Sequence, residues 1–165
     1  MNLKLINELN ADDATATFLK CCGCERWARE LAEARPYASE DEIFKRAEDS
    51  FEDLTRDELM EAFASHPKIG DVDSLRKKYA DTKDWAENEQ SGVNGTSQEV
   101  LHSLAQGNED YERKFGYIFI VCATGKTADE MLSMLNERLT NHSDKELSIA
   151  AAEQKKITYL RLGKL

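Results

Sequence analysis

The sequence predicts an all-α protein: a single compact multi-helix domain, residues 1–165, with one buried non-helical apolar segment near 117–124. Three observations predict it. Two prolines and eight glycines are all that punctuate the 165 residues, which favours helix. Capping boxes recur at Ser39-x-x-Glu42, Thr55-x-x-Glu58, Thr96-x-x-Glu99, Thr127-x-x-Glu130 and Ser143-x-x-Glu146. In that pattern a hydroxyl and a carboxylate satisfy two of the backbone N–H groups that a helix start leaves unpaired. Each box precedes apolar residues at helical spacing, as with Met131, Leu132, Leu135 and Leu139 after Thr127. After Ser143 the corresponding residues are Leu147, Ala150, Ala151, Ile157 and Leu160.

Element by element, the N-terminal third reads as two helices, about 11–21 and 24–34, interrupted near Gly23. The second carries Trp27 and Leu31 on one side and ends at Arg35-Pro36. Thr55 opens a helix with Leu59, Met60 and Phe63 on one face. From Gly70 to Thr96 the chain is polar, with a short helix expected near 72–79, and long polar loops in compact helical domains are more often functional than decorative. Tyr117 to Thr124 is apolar and rich in β-branched residues, as in a buried strand, yet no comparable second strand exists to pair with it. An extended segment there needs partners for its backbone groups, from protein or from a ligand, which makes it a candidate floor for a binding site. A buried helical turn continuing the preceding helix is the other reading.

Composition excludes several classes. The net charge of −10 and pI near 4.9 argue against nucleic acid or an anionic membrane surface as partner, because both demand a basic face. No run approaches the roughly 18 apolar residues of a membrane span, and the N-terminus does not read as a signal peptide. A cytoplasmic location is the expectation. The closing Gly-Lys-Leu lacks the serine of a peroxisomal signal. Cys21, Cys22, Cys24 and Cys122 lack a second Cys/His pair at metal-site spacing, so no metal is expected, and the thiols read as reduced core residues. Gly125-Lys126-Thr127 looks like the tail of a phosphate-binding loop, but Ile120 stands where that loop needs glycine, so nucleotide binding is rejected.

Three features carry chemistry. His66 lies in Ala-Ser-His-Pro-Lys-Ile-Gly, where Pro67 discourages helix for the residue before it and so places the imidazole at a stiff helix end. A held imidazole suits acid/base work, although a helix-ending histidine can equally bond a nearby carbonyl. Glu89-Gln90, ahead of Gly92, offers a carboxylate and an amide that an imidazole can use, or simply a solvated loop. Arg161 falls on the line Ile157, Arg161, Leu165, a mostly apolar helix face, where its charge needs an anionic partner in the protein or in a ligand. His102 and His142 carry no functional expectation; the first lies within a helix and the second beyond a helix end, where a cation suits the dipole.

Taken in order, these pieces resemble one family. They are His66-Pro67-Lys68-Ile69-Gly70; Trp85 with Glu89-Gln90-Ser91-Gly92-Val93; Lys114-Phe115-Gly116-Tyr117 running to Phe119-Ile120-Val121-Cys122-Ala123; and Arg138-Leu139-Thr140-Asn141. Glu153 to Ile157 and Leu160-Arg161-Leu162 close the series, and Leu9-Asn10, Phe18, Arg26-Trp27-Ala28 and Arg35-Pro36-Tyr37 are similar to the family's opening. The chain resembles the 2-oxo-4-hydroxy-4-carboxy-5-ureidoimidazoline (OHCU) decarboxylases of urate degradation over essentially its whole length. The resemblance implies an all-helical, cofactor-free enzyme, usually a homodimer, that makes (S)-allantoin. The substrate can take up the electron pair left by its own carboxylate, so orientation, charge stabilisation and proton delivery remain for the protein.

The same resemblance implies His66 as acid/base and Glu89 as its partner in proton handling. It implies Gln90 on the ring or ureido amide, Arg161 on a substrate oxygen, and Pro67 shaping the pocket. Phe119, Ile120, Val121, Cys122 and Ala123 would line the pocket through backbone groups. Ala86 stands where many members have serine, so only a backbone contact is left there. A non-catalytic acidic helical domain that binds a partner protein is the competing reading, and a hydrolase of a related ureido compound is a third.

Overall fold

The computed structural model describes residues 1–66 and 98–165, and these are helical apart from short connections and one longer stretch, with no strand among them. The eight described helices are α1 (Leu3–Glu8), α2 (Ala11–Leu19), α3 (Glu25–Glu33), α4 (Glu40–Glu52), α5 (Arg56–Ala64), α6 (Gln98–Phe115), α7 (Ala128–Leu139) and α8 (Ser143–Leu162). The expected helix near 72–79, the polar loop around it and the Thr96 capping box lie outside the described residues.

Capping explains most of the starts. At Thr55 and Thr127 both halves of the box form: the threonine hydroxyl takes the Glu58 or Glu130 N–H, and that glutamate takes the threonine N–H. Ser39 accepts from Glu42 N–H, but the Glu42 carboxylate reaches one residue further back, to Ala38 N–H at 2.7 Å. The Ser143 box is a correction. The helix begins there, yet Glu146 N–H bonds the His142 carbonyl, and the Glu146 carboxylate is fully buried in another network. α1 was not expected; it is six residues long and starts from Asn2, whose side chain accepts from Leu5 N–H.

Contacts divide the described chain into two units. The first holds residues 1–66, 120–122 and 149–165; the second holds 98–119 and 123–148. In the first, α2 packs on α3 and α3 on α4. Trp27, fully buried, stands edge-on to Phe18 and donates its indole N–H to the Ala47 carbonyl at 3.0 Å. Burying such a ring contributes roughly 1.5–3 kcal/mol, provided its polar end is satisfied in this way. The turn between α2 and α3 buries Cys21, Cys22 and Cys24, all as free thiols. Burial pushes the Cys21 thiol up to about 11 and the Cys22 thiol up to about 12. On the surface of the same unit, Arg26 bridges Glu58 at 2.5 Å and Glu30 at 2.6 Å.

The second unit is built on α6 against α7. Tyr111 lies among Phe115, Tyr117 and Phe119, with ring centroids 4.6, 5.8 and 5.2 Å away. Arg138 and Glu146 are buried together at 2.6 Å. Glu146 also accepts from the Tyr111 hydroxyl and from Asn141 Nδ2 at 2.8 Å, and Arg138 stacks over the Phe119 ring at 4.6 Å. Desolvation, with the bond to Glu146 next in size, pushes the pKa of Tyr111 up.

Gly116 and Gly125 bracket the non-helical stretch, each with φ near +80° (81° and 75°), a conformation that glycine adopts without strain. The first ends α6, its N–H returning to the Glu112 carbonyl at 2.8 Å. Between them the chain is neither helix nor paired strand, so of the two sequence readings the helical turn is excluded. Tyr117, Ile120 and Cys122 are buried, while Ile118, Phe119, Val121 and Ala123 stay partly exposed.

Candidate active site

His66 follows the end of α5, where Ser65 still has helical dihedrals and His66 N–H closes a last turn on the Phe63 carbonyl at 3.2 Å. The backbone of the imidazole is therefore anchored, as the stiff corner required. Its ring is held as well. Nε2 lies 2.7 Å from Oε1 of Gln154 on α8, and Gln154 Nε2 donates to Thr158 Oγ1 at 3.2 Å, one turn further along. Gln154 and Thr158 are fully buried, and the Thr158 hydroxyl adjoins the buried Cys22 thiol. From the other side, the turn between α2 and α3 presses against the His66 corner. A Cβ on Gly23 would fall 2.2 Å from Ser65 Cβ, so only glycine fits there.

The same helix anchors the non-helical stretch. The residue before Gln154 is Glu153, whose carboxylate accepts Cys122 N–H at 2.7 Å and is paired with Lys156 at 2.5 Å. This answers the backbone question at one position of the extended segment: a buried side-chain carboxylate accepts the Cys122 N–H as a neighbouring strand's carbonyl would. Consecutive residues of α8 thus hold two pieces of one site, Glu153 the segment and Gln154 the imidazole.

Arg161, seven residues beyond Gln154, is partly buried on α8. Its Nη1 donates to the Lys20 carbonyl at 3.3 Å, and among the described residues no carboxylate pairs with it. Its charge also opposes the effect of burial on the Cys21 thiol. Among the described residues, then, no group supplies the anionic partner expected for this arginine.

The first unit accordingly brings together His66, Ile120, Val121, Cys122 and Arg161 from the sequence-predicted set. Phe119 and Ala123 fall in the second unit, where Phe119 is stacked under Arg138. Pro67, Ala86, Glu89 and Gln90 lie outside the described residues. Sequence reasoning missed Glu153, Gln154, Thr158 and Gly23 as structural supports. It followed the apolar line through Ile157, whereas the buried line of α8 is Ala150, Gln154, Thr158 and Leu162. Leu160, assigned to the apolar pattern, is 45% exposed. The available signal was the four-residue spacing of Gln154 and Thr158 between two apolar residues on the same line, Ala150 and Leu162.

A family model for OHCU decarboxylase matches residues 7–163. The chain belongs to the OHCU decarboxylase family. It is 37% identical over 145 residues to the uric acid degradation bifunctional protein TTL of Arabidopsis thaliana, covering 88% of this chain and 45% of that protein. It is 28% identical to the 2-oxo-4-hydroxy-4-carboxy-5-ureidoimidazoline decarboxylase of Xenopus laevis, over 98% of this chain and 93% of that one. The chain spans less than half the length of the bifunctional relatives, 45% of the Arabidopsis protein and 32% of one from Bacillus sp. (strain TB-90). A crystal structure of an OHCU decarboxylase in the presence of (S)-allantoin superposes with a TM-score of 0.73 at 36% identity, covering 89% of this chain and 94% of that chain. An (S)-allantoin synthase, at 14% identity and a TM-score of 0.72, shares the fold.

Proposed function

We propose that this chain is one OHCU decarboxylase domain, residues 1–165, that converts 2-oxo-4-hydroxy-4-carboxy-5-ureidoimidazoline to (S)-allantoin without a cofactor. The observation that carries this reading is the partly exposed imidazole of His66, fixed on Gln154 in the unit that also holds Arg161, within a chain of this family. The carboxylate leaves as carbon dioxide, its electron pair passes into the adjoining ring system, and a proton is returned to the same carbon from one face. Proton return from one side sets the handedness of the product. His66 is the acid/base, with Glu89 as its partner in proton handling. Arg161 takes a substrate carbonyl or anionic oxygen, an interaction for which a guanidinium with no carboxylate partner among the described residues is suited.

By the family resemblance Gln90 bonds the ring or ureido amide, Pro67 shapes the pocket, and Ala86 contributes through its backbone. Phe119, Ile120, Val121, Cys122 and Ala123 line it with backbone groups. The Glu153 anchor on Cys122 supports that role, because it fixes the segment without using a neighbouring strand. The enzyme acts in urate breakdown, in the cytosol, as a homodimer with no nucleic-acid or membrane partner. No helix among the described residues is long and apolar enough to cross a membrane, and the net charge is −10.

The test is a coupled assay from urate, with uricase and hydroxyisourate hydrolase supplied and the optical activity of allantoin followed by circular dichroism. Rapid formation of one enantiomer, lost in His66→Asn with the fold intact, is the expected result. Slow racemic product with and without the protein, the partner enzymes being active, overturns the reading in favour of a protein-interaction domain.

A further inference from the structure

We propose that Gln154 is a positioning residue that keeps a proton on Nε2 of His66 throughout turnover, so that the proton exchanged with substrate is carried by Nδ1. This rests on the reading of His66 as the acid/base. An amide side chain has two chemically different ends, and here both are engaged: Oε1 faces His66 Nε2 at 2.7 Å, and the amide nitrogen donates to Thr158 Oγ1 at 3.2 Å. A carbonyl oxygen can only accept, so the imidazole nitrogen against it carries hydrogen. The identity of the protonated nitrogen in a neutral histidine follows from the partner of the other atom in this way.

The opposite orientation of the amide fails on charge. An acid/base histidine passes through the imidazolium, in which both nitrogens bear hydrogen. An NH2 group turned toward Nε2 would then oppose donor to donor in a site where Gln154 has no solvent exposure, leaving buried donors unsatisfied at about 1–3 kcal/mol each. Oε1 toward the ring is compatible with both charge states, and the amide nitrogen then meets the Thr158 hydroxyl as an acceptor at the other end. The Thr158 hydroxyl adjoins the Cys22 thiol, so the line His66, Gln154, Thr158, Cys22 runs from the ring into the core as a string of adjoining polar groups. α5 ends just before His66 and Gly23 leaves no room behind Ser65, so the backbone that carries the ring is fixed.

Long-range proton–nitrogen NMR on histidine-labelled full-length protein, at a pH where the ring is neutral, reads the tautomer directly. The chain has three histidines, and the His66 signal is the one missing from His66→Asn. The wild type is expected to show Nε2 protonated and Nδ1 as the lone-pair nitrogen. Gln154→Leu should give a mixture of tautomers and lower kcat by roughly tenfold or more with little change in KM, within the range ascribed to a placed acid/base. Gln154→Glu, which still accepts from Nε2, should keep the Nε2–H signal and restore kcat toward wild type. If Gln154→Leu does not fold, Thr158→Val, which leaves the amide unheld, is read in the same two ways. A wild-type spectrum with hydrogen on Nδ1, or a folded Gln154→Leu with unchanged tautomer and kcat, overturns the proposal. Absence of decarboxylation in the wild type is a separate outcome, since it removes the acid/base premise while the tautomer signal remains measurable.

Discussion

Replacing Glu146 by alanine is expected to be among the most damaging single changes in this protein, and the structure sets its size. The Glu146 carboxylate is fully buried and receives the Tyr111 hydroxyl, Arg138 Nε at 2.7 Å, Arg138 Nη2 at 2.6 Å and Asn141 Nδ2 at 2.8 Å. Removing it takes the paired carboxylate from a guanidinium that is 5% exposed. Removing one partner of a buried ion pair costs about 3–5 kcal/mol, against a total of about 5–15 kcal/mol for a typical domain. At roughly 2–4 °C per kcal/mol for a domain of this size, the thermal midpoint should fall by about 10 °C, read by far-UV circular dichroism. The double variant Arg138→Met/Glu146→Leu removes both charges and fills the space, and it should recover at least half of the loss, because the penalty comes from breaking the pair on one side only. A single variant melting within about 2 °C of wild type, or a double variant showing the sum of two independent losses, would refute this reasoning.

Other perturbations follow from geometry already described. Gly23→Ala places a Cβ 2.2 Å from Ser65 Cβ and should displace the His66 corner, lowering kcat in the coupled assay more than it lowers the thermal midpoint; unchanged activity would show that the corner yields freely. The Arg26 guanidinium, followed by the Thr55 N–H, holds the Glu58 carboxyl down from 4.5 to about 2. A depressed carboxylate stabilises the fold above its unfolded value, so this contribution should be complete above pH 4.5 and lost as pH falls toward about 2, and Arg26→Ala should shrink that acid-dependent loss of thermal midpoint. The Cys21 and Cys22 thiols, at about 11 and about 12 and out of solvent, should resist a thiol-titrating disulfide reagent at pH 8 in the native protein and react at once in denaturant; rapid native labelling of either would contradict their burial.

The helices were legible where the chain writes its own start signals. Thr55 and Thr127 cap helices through contacts three residues away, which sequence alone specifies. Ser143-x-x-Glu146 has the same letters and a different outcome, because Arg138 and Tyr111 claim the glutamate from a distance that no local pattern encodes. α1 escaped notice because six residues are too few to show a period. Of the candidate residues, His66 was singled out by its proline neighbour and Arg161 by a charge placed among apolar residues. Gln154 and Thr158 were not, since polar residues on a helix read as solvent-facing until the groups that satisfy them are in view. The non-helical stretch was visible as an apolar run between Gly116 and Gly125, but its anchor, Glu153, lies thirty-one residues from Cys122.

The line Ala150, Gln154, Thr158, Leu162 has a consequence for anyone who would engineer this molecule. Ordinary core design would fill such a line with methyl groups. Exchanging Gln154 and Thr158 together for apolar residues of similar volume removes both partners of one internal hydrogen bond, a change that is often neutral or favourable to folding, and leaves the His66 ring nitrogen, in a partly exposed side chain, to water. The hardier protein so obtained would have given up the group that orients its imidazole. At these two positions, selection for robustness and selection for turnover point in opposite directions, and a library screened on melting temperature alone would drift away from the working enzyme.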